Sequence, residues 1–284
     1  MANGDGVTRW KAVVAALDAH ERFRSRVSAY QHPLAGRPIV WHVVRALLDT
    51  VPAPTSVVVL HRAGEMVSIG PDLPTVDYVG VAAGEDSRAL RTAVTAPGLT
   101  VLVDGAAALL TASTISRLLR AGEAGIAALA GDGGEHESSV AVVGEGPALA
   151  SADDPRHPRG AARVVATDAF ETLRVVDRRS LSDASVAIRD RLVRRHQASG
   201  VSFLLPATTW IDVDVRIGAD TMIYPGAVLE GSTDVGSECV IGPHSRIVES
   251  TVGRGSELKG WNYVSRVSVR NHAVLEPYER RGLE

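Results

Sequence analysis

The stretch Ile211-Asp-Val-Asp-Val-Arg-Ile217-Gly-Ala-Asp-Thr-Met-Ile223-Tyr-Pro-Gly-Ala-Val-Leu229-Glu-Gly-Ser-Thr-Asp-Val235-Gly-Ser-Glu-Cys-Val-Ile241-Gly-Pro-His-Ser-Arg-Ile247 places a large apolar residue at every sixth position. Six successive intervals of six, with Gly, Asp, Ser and Thr between the anchors, predict a left-handed parallel β-helix. Each hexapeptide forms one flat face, and three faces close a triangular coil of about 18 residues with the anchor pointing inward. The register slips by one between Ile247 and Val252, continues through Leu258 and Val264, and ends raggedly at Val269 and Leu275. Three to four coils are expected. A solenoid leaves an open end and an outer face to cover, which predicts self-association. Trp210 and Trp261 are expected to pack on the outer faces.

Upstream the texture differs. Short apolar runs at residues 12–17, 56–60, 75–79, 100–103, 126–130 and 138–143 read as strands. Helical spacing falls at Ile39–Leu48, Arg88–Val94 and Thr111–Ala121, the last with Ser113 or Thr114 available as N-cap. This alternation predicts a doubly wound, mostly parallel sheet of the Rossmann-like kind. Residues 144–162, rich in Gly, Pro, Asp and Arg, read as a long surface loop, and Leu181–His196 as a helix. The expected division is an α/β domain over 1–180, a connecting helix over 181–204 and a β-helix over 205–284.

Bulk properties narrow the function classes. Among 284 residues the net charge is −3, and a pI near 6.3 lacks the basic excess of a nucleic-acid protein. The single cysteine, Cys239, excludes an internal disulfide framework and reads as a small buried apolar residue. No run of 18 apolar residues predicts a membrane span and no apolar segment opens the chain, so a cytoplasmic location is expected. The nine histidines show no ligand spacing; His32, His42, His61, His136, His157 and His196 read as structural.

The segment Arg195-His-Gln-Ala-Ser-Gly-Val201, then Pro206-Ala-Thr-Thr-Trp-Ile-Asp-Val-Asp-Val215, with Ile223-Tyr-Pro-Gly-Ala-Val-Leu-Glu-Gly231 and Val240-Ile-Gly-Pro-His-Ser245 after it, resembles the bifunctional N-acetylglucosamine-1-phosphate uridyltransferase/glucosamine-1-phosphate acetyltransferase family. His32-Pro-Leu-Ala-Gly-Arg-Pro38 resembles the segment after that family's phosphate-binding loop. The resemblance implies a nucleotidyltransferase-like domain, a β-helix and a trimer. It also implies a truncated relative, because the family's acetyltransferase residues lie beyond Val274-Leu-Glu-Pro-Tyr-Glu-Arg280, so no acetyltransferase activity is expected.

The same resemblance exposes what has changed. The family's loop reads L-A-A-G-x-G-T-R-M, and its glycines let backbone N–H groups approach a triphosphate. Here Ala15-Ala-Leu-Asp-Ala-His-Glu-Arg-Phe23 falls on that loop. Only Arg22 keeps a catalytic position; Asp18 and His20 replace the glycines, Glu21 the threonine and Ala29 the lysine. A like-charge contact between carboxylate and phosphate at ~4 Å costs on the order of 4 kcal/mol at an effective dielectric near 20. The family's Mg²⁺ ligands, an aspartate in G-D-x-P-L-L and an asparagine in V-N-D-R, correspond to Ala106 and Val176. Neither offers the oxygen donor a hard cation requires.

Two functional expectations follow. The first is a pseudoenzyme: a scaffold, regulator or small-molecule sensor with no cofactor, whose remodelled loop (Asp18, His20, Arg22, with Gly84 and Asp104) holds a nucleotide-sugar-like ligand or faces a partner protein. The second is a divergent, Mg²⁺-dependent nucleotidyltransferase in which Arg22 binds phosphate and Asp104 with Asp177 holds the metal. Neither involves nucleic acid or a membrane. The bland role of Asp104 is to cap a neighbouring turn, and His20 beside Asp18 and Glu21 reads first as an exposed loop residue.

Overall fold

The computed structural model describes residues 9–18, 21–65, 67–70, 73, 76–130 and 139–282. These divide into two compact units: residues up to Leu34 with Pro38–Ala184, and Ala35–Arg37 with Ser185 onward. The division falls within the helix Arg178–Ala198. His20, His136, Thr75 and Ser138, named above, lie outside the described residues.

The first unit is built on seven strands: β1 Trp10–Ala16, β2 Val57–Arg62, β3 Asp77–Val81, β4 Leu99–Asp104, β5 Ala127–Ala130, β6 Ala141–Glu145 and β7 Ala162–Val165. Their order in the sheet is β3-β2-β1-β4-β6-β5-β7. The left part is parallel, as expected, with Ala15 opposite Leu60 on one side and Asp104 on the other. Strand β6 runs antiparallel to both β4 and β5, so the sheet is mixed. β1 is buried along nearly its whole length, which explains its continuous apolar run.

Helix α1 spans Ile39–Leu48, within the bounds its periodicity predicts, and buries all but its arginine and last leucine. Helices α2 Asp86–Val94 and α3 Ala112–Gly122 follow. The cap of α3 is Thr111, whose hydroxyl accepts from the Thr114 N–H at 3.3 Å, and not Ser113 or Thr114. Residues 144–162 are not one loop. Gly146–Ser151 forms α4, with Pro147 in its first turn, and Leu149 is buried in the sheet's core with Leu90, Val94 and Val142. A six-residue helix with one buried leucine is too short for a 3.6-residue period to register in sequence. Helix α5, Arg178–Ala198, extends beyond the predicted Leu181–His196 at both ends.

The second unit carries the β-helix. Three parallel sheets stack the coils, beginning at Ser202–Phe203, earlier than the hexad pattern suggests. Every anchor from Ile211 to Leu275 is buried, including the ragged pair Val269 and Leu275. Successive coils are offset by 18 residues from Arg216 to Asp234, but by 17 from Asp234 to Thr251 and from Thr251 to Ser268. Both shortenings fall at one corner, where Gly231, Glu249 and Arg266 follow one another with φ of 63°, 45° and 51°. Because consecutive coils lose a residue at the same corner, the strands after it stay paired, and Glu249 and Arg266 form an ion pair of 2.9 Å. Cys239 is buried, its Sγ–H directed to the Gly253 carbonyl at 3.2 Å, and burial pushes its pKa up. Trp210 donates to Asp212, whereas Trp261 stacks between His244 and Tyr278 at 5.5 and 5.6 Å along one corner.

Ala35–Arg37 is a tab on the first coil. Val213 N–H donates to the Ala35 carbonyl at 3.1 Å, and Arg37 pairs with Asp214 at 2.6 Å. Gly36 has φ +81°, and a Cβ there would lie 2.6 Å from Asp212 Oδ2. That carboxylate is pinned by the Gly231 and Trp210 N–H groups, so it cannot retreat freely. Gly36→Ala is expected to lower the stability of this unit by about 2 kcal/mol, read as a shift of the urea midpoint; an unchanged midpoint would show that the tab is not held in this conformation.

His196 on α5 is also buried, its Nε2 has no partner among the described residues, and burial together with Arg195 lowers its pKa to about 4. The folded state therefore refuses a proton that the unfolded chain accepts below pH 6.5, so stability falls as pH drops from 6.5 toward 4. Allowing for partial solvent screening, the loss is about 2 kcal/mol. Denaturant titrations at pH 7 and 4.5 should show a smaller pH effect in His196→Leu than in the parent; equal effects would remove His196 as the cause.

Candidate functional site

Strand order creates the site. β1 leads to β2 on one side and β4 lies on the other, so the chain reverses direction of travel between β1 and β4. A crevice opens at the carboxyl ends of strands at such a switch point. Asp104 ends β4, opposite Ala15, and Asp18 lies two residues past β1. A cavity of about 210 Å³ opens there, lined by both carboxylates, Ser139, Arg156, His157 and Arg174 among others.

The two carboxylates converge on one guanidinium. Arg174 Nη2 donates to Asp18 Oδ2 at 2.5 Å, and its Nε lies 2.6 Å from Asp104 Oδ2. The second contact is one of charge more than direction, since Nε lacks a well-aligned acceptor. Burial alone would lower the arginine's pKa, but the fields of Asp104 and Asp18 outweigh it and raise it. The other oxygen of Asp104 accepts the Ala106 N–H at 2.8 Å, which is the turn-capping role expected for it. Arg156 adds a looser contact to Asp18 at 3.6 Å and to Asp154 at 3.8 Å, and His157 sits 3.0 Å from Asp154.

Tyr30 packs behind Asp18. It is buried, and its hydroxyl accepts the Asp18 N–H at 3.1 Å. Burial, then the negative charges of Asp104 and Asp18, hold its pKa well above that of a free phenol. Gly105 packs beside it: a Cβ there would stand 3.0 Å from the Tyr30 ring.

The remaining sequence candidates lie elsewhere or are otherwise engaged. Asp177 accepts the Ser180 N–H at 2.8 Å and hydroxyl at 2.7 Å, starting α5, and these bonds lower its pKa, with a smaller contribution from the charge of Arg22. Arg22 is exposed on a single 3-10 turn, Glu21–Phe23. Gly84 takes φ +83° in the turn before α2 and does not line the cavity. Ala106 is fully buried with its carbonyl accepting from Val175, and the Val176 N–H is bonded to Ser180. Among the described residues no group of three or more His, Cys, Asp or Glu side chains is placed to hold a metal. Asp104, expected as a replacement metal ligand, is paired with the Arg174 guanidinium.

Sequence reasoning missed Arg174, Arg156 and Tyr30. The signal for Arg174 was adjacency to Val175-Val-Asp-Arg178; nothing in spacing marks Tyr30 or Arg156. Asp18, expected to present bare negative charge, is compensated.

Comparisons with known proteins agree with this architecture. The family model of the bacterial transferase hexapeptide (six repeats) matches residues 214–248. The bifunctional protein GlmU of Bacillus velezensis is 44% identical over 108 residues, 38% of this chain and 24% of that protein. GlmU of Kineococcus radiotolerans is 29% identical over an alignment of 341 positions that covers 96% of this chain and 69% of the relative. The chain thus matches between about a quarter and about two thirds of these relatives' lengths. A solved nucleotidyl transferase from Methanothermobacter thermautotroptrophicus superposes with a TM-score of 0.50 at 20% identity, covering 66% of this chain and 99% of its own, which is a likeness of fold. With a nucleotidyltransferase-like α/β unit preceding hexapeptide coils, the chain belongs to the family of the bifunctional GlmU proteins.

Proposed function

We propose that this chain is a non-catalytic member of its family, a scaffold, regulator or small-molecule sensor built on the nucleotidyltransferase fold. One observation carries the reading: both positions that supply Mg²⁺ ligands in the family are apolar, Ala106 and Val176, while the neighbouring Asp104 pairs with Arg174. Nucleotidyl transfer depends on positioned phosphates and a cation that neutralises them, and losing such electrostatic groups costs orders of magnitude in rate. The switch-point cavity is the proposed seat of any ligand. The β-helix supports assembly as a trimer, which light scattering tests; a monomer would overturn it. No described helix is long and apolar enough to cross a membrane.

With UTP, N-acetylglucosamine 1-phosphate and Mg²⁺, pyrophosphate release should not rise above a protein-free control, and calorimetry should show no Mg²⁺-dependent UTP binding tighter than millimolar. Mg²⁺-dependent release that Arg22→Ala and Asp104→Ala abolish would instead establish the divergent nucleotidyltransferase.

A further inference from the structure

We infer that Arg174 is a resident cation standing where the two switch-point carboxylates would otherwise gather a divalent metal, and that removing its guanidinium uncovers a cation site the natural protein does not have. Both carboxylates already stand within 2.6 Å of one guanidinium. Asp104 has one oxygen fixed by the Ala106 N–H, leaving Oδ2 for the cation. Asp18 has its backbone held at the Tyr30 hydroxyl and turns Oδ2 to the same guanidinium. Two carboxylates brought from two strand ends onto the Arg174 guanidinium, with Arg156 more loosely placed 3.6 Å from Asp18 and a cavity of about 210 Å³ beside them, are a set that Mg²⁺ or Mn²⁺ completes with water molecules once that guanidinium is gone. A guanidinium supplies the countercharge permanently, because it does not lose its proton in proteins and does not exchange with solution. The site thereby becomes indifferent to divalent-ion concentration. Whatever enters the cavity meets a fixed arrangement of charges.

The inference deepens the non-catalytic reading at the same site and rests on it, but its test is separate because it needs no nucleotide and no turnover. Mn²⁺ alone is the probe, followed by electron paramagnetic resonance of the free ion and by the melting temperature with and without 5 mM Mn²⁺. The full chain should show no stoichiometric Mn²⁺ binding and no Mn²⁺-dependent melting shift. Arg174→Ala and Arg174→Gln should each bind one Mn²⁺ per chain at submillimolar concentration and melt several degrees higher with the ion. Arg174→Lys, which keeps a cation, and the double variant Arg174→Ala/Asp104→Asn should not. One Mn²⁺ bound by the unaltered chain with Asp104 as a ligand would overturn the inference whatever the variants do. So would folded Arg174→Ala and Arg174→Gln proteins that ignore the ion. The pyrophosphate assay answers independently: a chain that fails the Mn²⁺ test yet releases no pyrophosphate leaves the non-catalytic reading standing.

Discussion

Glu171→Ala will lower the stability of the α/β unit by about 2–3 kcal/mol, the range for taking the shared acceptor away from buried hydrogen-bonding groups. Glu171 is fully buried, an expensive place for a carboxylate. It is held by the hydroxyls of Thr111 and Thr114, the latter at 2.8 Å, and by the N–H and hydroxyl of Thr167, both at 3.0 Å. Thr111 is also the cap of α3, so the carboxylate sits at that helix's positive end, where negative charge is favoured. Removing it takes the acceptor from the Thr111 hydroxyl and the Thr167 N–H and leaves the Thr114 and Thr167 hydroxyls only each other, at 3.2 Å, and alanine leaves a void besides. Glu171→Gln retains the shape and one acceptor and should cost about 1–2 kcal/mol. Urea unfolding followed by fluorescence reports the difference, since Trp10 and Trp41 are both buried in this unit. A loss below about 1 kcal/mol for Glu171→Ala would mean that water replaces the network without penalty.

Legibility divides along a physical line. The hexad anchors were visible because one side chain per face must fill the coil's axis, a demand that repeats at fixed spacing. The one-residue slip after Ile247 was visible for the same reason, and the offset of 17 between coils is its structural form. Helix α1 showed itself through a ten-residue apolar period. Strand direction did not: antiparallel β6 carries the same buried run as a parallel strand would. Contacts between residues far apart in sequence were least legible. Asp18 and Arg174 meet across 156 positions, and no local pattern encodes that meeting. From sequence Asp104 could be weighed as a turn cap or a displaced metal ligand, but its cation could not be seen. That Ala106 and Val176 fall on the family's ligand positions was inferred from the resemblance; the pairing of Asp104 with Arg174 could not be. Glu171, an ordinary glutamate in a polar stretch, gave no sign that it is buried.

Ile241→Ala should destabilise the β-helix by about 3–4 kcal/mol, whereas Val240→Ala, one residue away, should cost less than about 1 kcal/mol. Side chains alternate across a strand, so neighbours in sequence face opposite sides. Ile241 is fully buried, stacked between Ile223 of the coil before and Leu258 of the coil after, and it belongs to the continuous cluster of anchors along the axis. Val240 faces outward and is partly exposed. A triangular coil closed by short flat faces cannot collapse around a missing side chain, because each face is tied by backbone hydrogen bonds to the coils on either side, such as Gly242 N–H to the Leu258 carbonyl at 2.7 Å. The cavity should therefore persist, which places the cost in the upper part of the range for large-to-small changes. Stacked coils couple mainly to their neighbours, so Ile241→Ala combined with Leu258→Ala should depart from additivity by about 0.5 kcal/mol or more, while Ile241→Ala with Val14→Ala in the other unit should add within that margin. Denaturant titration of the four variants and two doubles decides it. Equal costs at positions 240 and 241 would mean that the anchors do not fill the axis, and the six-residue repeat would lose its physical explanation.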